Sequence, residues 1–512
     1  MRHYRPDSAA VVLAVLLILL SVKSLAVDDS WPAFDNVVYT NPAVNYTIGK
    51  LSFTDCRLND PGFTHYRNMQ CSFLRVPENY QQPDGSLITL FVGRIPATGK
   101  RPDPDPLIPF QGGPGGAASD LFIINGIGLD RIQQQRDLII VDQRGTGKSM
   151  RLDCPSLAES TMEFNLERVK TATRTCLTSL EGDPAQYTTS VAVKDFDRVR
   201  EALEIDRWNL YGVSYGTRVA QHYLRRYPDR VRTVILDAVV PPQVSLGPEI
   251  ALESQRALQQ LFQRCKASPS CDSAFPKLEE GVASLFAQLA EAPIQFQYED
   301  IGSGHQQSAT LYRGHLIAVV RLSLYSSASA AILPVLLHEA YANHNYAPLY
   351  RNAMQMDSSV TGSISIGMHN SVICAEDEAF LRDSDIDFDA LKASYIGEEH
   401  YAQLRAMCAP WPLGPVDDDL KKPVASDKPV LLLSGTADPI TPPAYAELAM
   451  QKLTNSQHII AEGLGHGLAA HGCMPTILAR FVESASLEGL KADCMTKQKP
   501  EPIFIDFNGP TP

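Results

Sequence analysis

The chain has 512 residues, 44% of them hydrophobic and 20% charged, which is the composition of a folded globular protein and not of a disordered or fibrous one. Its 45 Lys and Arg stand against 58 Asp and Glu, a net charge of −13. An acidic surface repels phosphate, which argues against nucleic acid as a partner, and at about 150 residues per domain the length suggests roughly three units.

At the N-terminus, Arg2, His3 and Arg5 precede the apolar run Ala9–Val22. At 1.5 Å per residue that run reaches roughly 21 Å, short of a bilayer core of about 30 Å. Ser24-Leu25-Ala26 then places small residues where a signal peptidase reads them. Residues 1–26 therefore read as a secretory signal cut after Ala26, which predicts a secreted or periplasmic protein. No other stretch approaches 18 apolar residues, so no membrane span is expected after its removal. Ten cysteines agree with export. Neighbour pairing is the simplest arrangement: Cys56–Cys71, Cys154–Cys176, Cys265–Cys271, Cys374–Cys408 and Cys473–Cys494. No C-x-x-C occurs, which argues against zinc and thioredoxin-type chemistry.

Strand-like runs follow at Leu87–Ile95, Leu107–Phe110, Leu138–Val141, Trp208–Tyr211, Thr233–Leu236 and Val430–Leu433. Several are short and mostly apolar, as parallel strands covered on both faces should be. Helical patterns such as Val193–Leu203 and Thr217–Tyr227 alternate with them, so the fold class is α/β, a mostly parallel doubly wound sheet. The rhythm breaks after Val240-Pro241-Pro242. Residues 243–425 read mostly helical, for example Leu252–Cys265 and Leu316–Ala342, and Pro410–Val424 reads as a linker. The division predicted is a core over 27–242, a helical cap insertion over 243–425, and the rest of the core over 426–512.

Gly212-Val213-Ser214-Tyr215-Gly216 is a G-x-S-x-G between a predicted strand and a predicted helix. That context is the turn that lifts a nucleophilic serine above a sheet. A serine hydroxyl needs a base, and the base an orienting acid, in chain order Ser, Asp, His. Asp438 follows the strand Val430–Leu433 closely, with Asp237 as the second choice of acid. His466, in Gly463-Leu464-Gly465-His466-Gly467, is the predicted base, with His471 as its rival. Gln111-Gly112-Gly113-Pro114-Gly115-Gly116 offers backbone N–H groups for an oxyanion. One donor is expected from Gly112 or Gly113 and the other from Tyr215.

Two other motifs fit less well. Gly113-x-Gly115-x-x-Ala118 with Asp142 matches a dinucleotide fingerprint and would mean an oxidoreductase, but Pro114 sits within the turn. Gly147-Lys148-Ser149 lacks the first glycine of a P-loop, whose place Asp142 takes.

QGGPGG, Asp142-Gln143-Arg144-Gly145-Thr146-Gly147-Lys148-Ser149, GVSYGT, GTADPITP and GLGHG together resemble the α/β-hydrolase peptidases of the proline iminopeptidase and tripeptidyl aminopeptidase group. The resemblance runs from about 105 to 480, and the tripeptidyl aminopeptidase-like branch fits better. Gln111 stands where proline iminopeptidases usually show His. The resemblance implies an α/β-hydrolase fold with an inserted helical cap, and an exported serine exopeptidase without metal or organic cofactor. Its substrates would be short peptides with a free N-terminus. The substrate ammonium then calls for carboxylates from the cap, and Glu376 and Asp377 are the candidates. A carboxylesterase on the same fold is the competing expectation, and a catalytically silent binding protein the more distant one.

Overall fold

Strands with no polar side chain need cover on both faces, and that requirement sets the architecture. The computed structural model describes residue 34 and residues 36–59, 65–120, 128–158 and 163–510; the expected signal at 1–26 lies outside them. Four strands come first: β1 (Val37–Ile48), β2 (Leu51–Asn59), β3 (Tyr66–Pro77) and β4 (Leu87–Ile95). The central strands β5 (Leu107–Phe110), β6 (Leu138–Val141), β7 (Trp208–Val213) and β8 (Val231–Asp237) follow. After an insertion that holds the hairpin β9 (Ile294–Glu299) and β10 (Gln306–Leu311), β11 (Val430–Gly435) and β12 (Ser456–Ala461) complete the set.

One ten-stranded sheet runs β1-β2-β3-β4-β6-β5-β7-β8-β11-β12. From β6 to β12 the pairings are parallel, whereas β1 to β4 form an antiparallel meander joined to β6. Every residue of β5, β6 and β11 is buried. Separate apolar clusters cover the two faces, one around Phe110, Leu210, Val219 and Leu432, the other around Tyr211, Leu433, Leu478 and Phe481. The meander is the part of the sheet that the apolar runs do not announce. β1 is exposed along most of its length, so it lacks the continuous hydrophobic signal of a central strand.

β8 pairs directly with β11, so the chain between them leaves the sheet and returns beside its own point of departure. That excursion is mostly helical and has its own core of Leu258, Leu261, Val282, Leu285, Leu333 and Leu337. Two features differ from expectation. The β9–β10 hairpin interrupts the helices. The helical pattern Leu316–Ala342 is two helices, Arg313–Ser323 and Ser327–Ala342, because Ser326 starts a new one by accepting the Ser329 N–H at 3.1 Å. The expected linker is bolted down: Asp417 accepts from Arg226 Nε and His222 Nε2, both at 2.8 Å. Among the described residues no helix is long and apolar enough to cross a membrane.

All ten cysteines lie in neighbour pairs, with no free thiol among them. Separations run from 6 residues in Cys265–Cys271 to 34 in Cys374–Cys408. If the bridges act by restricting the unfolded chain, the shorter loop contributes about 2 kcal/mol and the longer nearly 4. Replacing Cys374 and Cys408 by Ala should therefore lower the denaturation midpoint more than replacing Cys265 and Cys271, measured by urea titration. The reverse order would show that native packing, and not loop length, governs these bridges.

Candidate active site

Ser214 sits between β7 and the helix Tyr215–Arg226 with φ of 57°, a left-handed conformation that a serine adopts only under constraint. The constraint is crowding. A Cβ on Gly216 would lie 2.0 Å from the Phe110 carbonyl oxygen. One on Gly112 would lie 2.7 Å from Ser214 Cβ. Glycine at both positions is what lets strand, turn and helix approach so closely, and it brings the 111–116 turn against the serine.

Asp438 and His466 meet above the ends of β11 and β12. His466 Nδ1 donates to Asp438 Oδ2 at 2.8 Å. The other Asp438 oxygen accepts from the Ile440 and Thr441 N–H groups at 2.9 Å, and Thr441 Oγ1 donates to Oδ2 at 2.6 Å. Burial alone would raise this carboxyl, but His466 and Thr441 hold it below the ordinary range. Burial likewise pushes His466 down, and the charge and hydrogen bond of Asp438 outweigh it, so the imidazole stands above its ordinary value. Tyr325 packs edge-on against the ring at 4.9 Å between centroids, and its carbonyl accepts the His466 N–H at 2.7 Å. The break between the two insertion helices is what places that carbonyl there. His471 is five residues away and bonds Leu468 through its own N–H, and among the described residues no acid forms an ion pair with its ring. No hydrogen bond joins Ser214 Oγ to His466 in this resting geometry; such bonds commonly close only when substrate is bound.

Asp237, the second choice of acid, has a different place. Its backbone carbonyl accepts the Ser214 N–H at 2.9 Å. Its carboxylate accepts from the Leu468 and Ala469 N–H groups at 2.8 and 2.9 Å, and from the Tyr211 hydroxyl at 3.0 Å. One residue thus ties the serine turn to the histidine loop. Its position at the end of β8 was the only signal in the sequence.

The turn at 111–116 narrows the choice of oxyanion donors. The Gly112 N–H donates to Gln111 Oε1 at 2.8 Å and so is already engaged. Among the described residues the N–H groups of Gly113 and Tyr215 have no protein acceptor, and they are the pair left for an oxyanion. Asp142 serves this loop and not a ribose: it accepts from Ser119 N, Ser119 Oγ and Lys148 N at 2.8, 2.9 and 3.0 Å. Arg144, fully buried, pairs with both oxygens of Asp195 at 2.6 and 2.8 Å.

Glu376 and Asp377 do not present free carboxylates, which corrects the expectation that they bind an ammonium. Both are fully buried. Asp377 pairs with Arg218 at 2.8 and 3.0 Å and with Lys421 at 2.9 Å. Glu376 accepts from Thr189 N at 2.5 Å and Thr189 Oγ1 at 2.7 Å, and that hydroxyl meets Tyr215 Oη at 2.7 Å. Burial raises Glu376 in spite of the nearby Arg218 charge, whereas Arg218 and Lys421 hold Asp377 low against the same burial. These acids join the insertion to the serine helix. An adjacent acidic pair with basic residues far off in sequence gives no sign of that pairing.

Comparison with known proteins matches residues 105–271 to the model of the alpha/beta hydrolase fold and residues 393–494 to that of the TAP-like proteins. The serine protease Hip1 of Mycobacterium tuberculosis is 26% identical over 434 residues, which is 78% of this chain and 82% of that one. A tripeptidyl aminopeptidase of Streptomyces lividans is 29% identical over 212 residues, 36% of this chain and 40% of the relative. A carboxylesterase B of Mycobacterium tuberculosis is 31% identical over 251 residues, 45% of this chain and 48% of the relative. Among solved structures, the proline iminopeptidase of Mycobacterium smegmatis covers 81% of this chain and 98% of its own, with a TM-score of 0.38 and 16% identity. The chain has the α/β-hydrolase fold, and the resemblance seen in its motifs extends to these relatives.

The electrostatics make a direct prediction. A histidine-selective NMR titration should place His466 above pH 6.5, and Asp438→Asn should lower its midpoint, because the charge and hydrogen bond that outweigh burial are then gone and the weaker influence of Asp237 is left to oppose it. An unmoved midpoint would mean that Asp438 does not set the charge of this ring.

Proposed function

We propose that this α/β hydrolase is a serine peptidase that removes residues or short peptides from the free N-termini of short peptide chains. Ser214 attacks the scissile carbonyl and His466 takes its proton, later returning it to the leaving amine. Asp438 holds the imidazole by Nδ1 and stabilises its charged form. The N–H groups of Gly113 and Tyr215 receive the oxyanion. An imidazole standing above its ordinary value is a good acid partner for the leaving amine, and the acid limb of kcat/KM should follow it.

The observation that carries the exopeptidase reading is the way the insertion is fastened. Ser365 N donates to Gly115 O at 2.9 Å, and a bridge pairs Ile364 with Gly116, so the insertion rests on the oxyanion turn. On the other side the Tyr325 carbonyl rests on His466. A roof pinned on both flanks of the nucleophile admits a chain end more readily than the middle of a folded chain. The similarity to Hip1 and to the tripeptidyl aminopeptidases supports peptide substrates. Five disulfides suit an oxidising compartment, and with the basic and apolar start of the chain they support export. A carboxylesterase is the second reading. It is favoured by one observation: Glu376 and Asp377 are committed elsewhere, so neither is left to bind an ammonium.

Ser214→Ala should lose about 10⁴ or more in kcat, and a fluorophosphonate should label Ser214 in the parent protein and not in the variant. Alanyl, prolyl and tripeptidyl anilides should be cleaved, and their N-acetylated forms poorly. Rapid hydrolysis of short-chain nitrophenyl esters with no turnover of any anilide would move the assignment to the carboxylesterase.

A further inference from the structure

Arg321 belongs to the last turn of the helix Arg313–Ser323, one turn before the residue that packs on His466. Its charge is felt on both flanks of the nucleophile. On one side it acts on Tyr325 and on His466. On the other it acts on His369, whose ring Nδ1 lies 3.1 Å from the Pro114 carbonyl of the oxyanion turn, and on His400. Arg321, Tyr325, His369, His400, His466 and Ser214 are each only partly buried, as residues lining a cleft are, and not as residues of a packed core. Arg321 therefore shares its surroundings with Tyr325, which packs on His466, and with His369, which meets the 111–116 turn.

The side-chain partner of Arg321 is Tyr325, whose neutral hydroxyl does not cancel the charge. Among the described residues no carboxylate forms an ion pair with Arg321, and its Nε is buried with no hydrogen-bond partner. The acids of the neighbourhood are already engaged: Asp438 by His466 and Thr441, Asp377 by Arg218 and Lys421, Glu399 by Arg313 and Glu398 by Lys392. The nearby histidines do not compete as cations. Burial and the Arg321 charge keep His369 low, and they bring His400 down to about 4. A guanidinium is charged at all working pH values and offers a planar fork of donors. In a chain of net charge −13, a cation left unpaired beside the nucleophile is a site waiting for an anion.

We infer that Arg321 is a specificity residue that binds a carboxylate of the substrate. On the peptidase reading, which this inference builds on, that carboxylate is either the C-terminus of a very short peptide or an acidic side chain near the scissile bond. The chemistry of recognition is the same for both: an N–H fork from Arg321, with neutral His369 and His400 as further hydrogen-bonding groups around it. It also places the substrate's ammonium away from this part of the cleft, since the two cations repel.

Three substrate pairs test it in the full-length protein. Trialanine against trialanine amide reads the C-terminal carboxylate. Glutamyl against glutaminyl aminomethylcoumarin reads a side-chain carboxylate with no C-terminus present. Nitrophenyl hemisuccinate against nitrophenyl butyrate reads a carboxylate on an ester. At least one charged member should be preferred by about 10- to 100-fold in kcat/KM, the range of a hydrogen-bonded charge. In Arg321→Gln that ratio should fall to near one, and in Arg321→Lys, which keeps the charge and loses the fork, part of it should remain. The ratio is internal to each variant, and an uncharged fluorophosphonate reports separately whether Ser214 is still reactive. Equal rates within all three pairs, or a preference that survives Arg321→Gln, would overturn the inference. Hemisuccinate preference with no peptide cleavage would overturn the peptidase reading alone.

Discussion

The site depends on Asp237 being buried and saturated with hydrogen bonds. Its backbone carbonyl fixes Ser214 and its carboxylate fixes the loop two residues beyond His466, so the proposed nucleophile and base are referred to the same point at the end of β8. A buried carboxylate is costly unless its lone pairs are filled, and here two backbone N–H groups and the Tyr211 hydroxyl fill them. Even so, burial leaves its pKa raised, and its negative charge adds to that of Asp438 in favouring protonated His466. The strained φ of Ser214 can persist only because this point does not move.

The insertion is held over that point by apolar contact, with Met368 and Val372 packed into the core beside the sheet, and by polar bolts. It carries a core of its own, so its position on the sheet must be specified by other means. Arg218, one turn after Ser214, meets Asp377 at the end of the insertion helix Ile366–Glu376, and Lys421 completes the pair. Glu376, through Thr189, reaches the hydroxyl of Tyr215, whose N–H is left open beside Ser214. Breaking a buried pair of this kind typically costs about 3–5 kcal/mol, which is why such contacts give one orientation and not several. Cys374–Cys408 fastens the same helix to Glu399–Cys408 from behind.

Much of this was legible in the sequence, and the boundary is physical. β5, β6, β7, β8 and β11 announce themselves because central parallel strands are mostly apolar. Ser214, Asp438 and His466, the proposed triad, are singled out by glycines and strand ends, which the structure brings to one end of the sheet. The β1–β3 meander was missed because its outer strand is half polar. The break at 324–326 was missed because Leu324 and Tyr325 continue an apolar helical pattern, and only the Ser326 cap ends it. Glu376 and Asp377 were misjudged because a carboxylate's partner is a tertiary fact: Arg218 is 159 residues from Asp377 in sequence. Arg321 carries no local signal at all, since a lone arginine late in a helix most often faces solvent.

Those last two residue types belong to one account of the cleft. Four carboxylates around Ser214 have structural duties: Asp237 joins two loops, Asp438 orients a ring, and Glu376 and Asp377 seat the insertion. Each is neutralised or saturated where it stands, so none projects its charge onto a ligand. Arg321 differs from them: among the described residues no carboxylate pairs with it, and its Nε is buried without a hydrogen-bond partner. Net charge describes what a surface repels at a distance; inside a cleft, selection follows from which groups the fold has left without partners. By that criterion the cleft above Ser214 is built around a cation, and an anion on the substrate is the group that completes it.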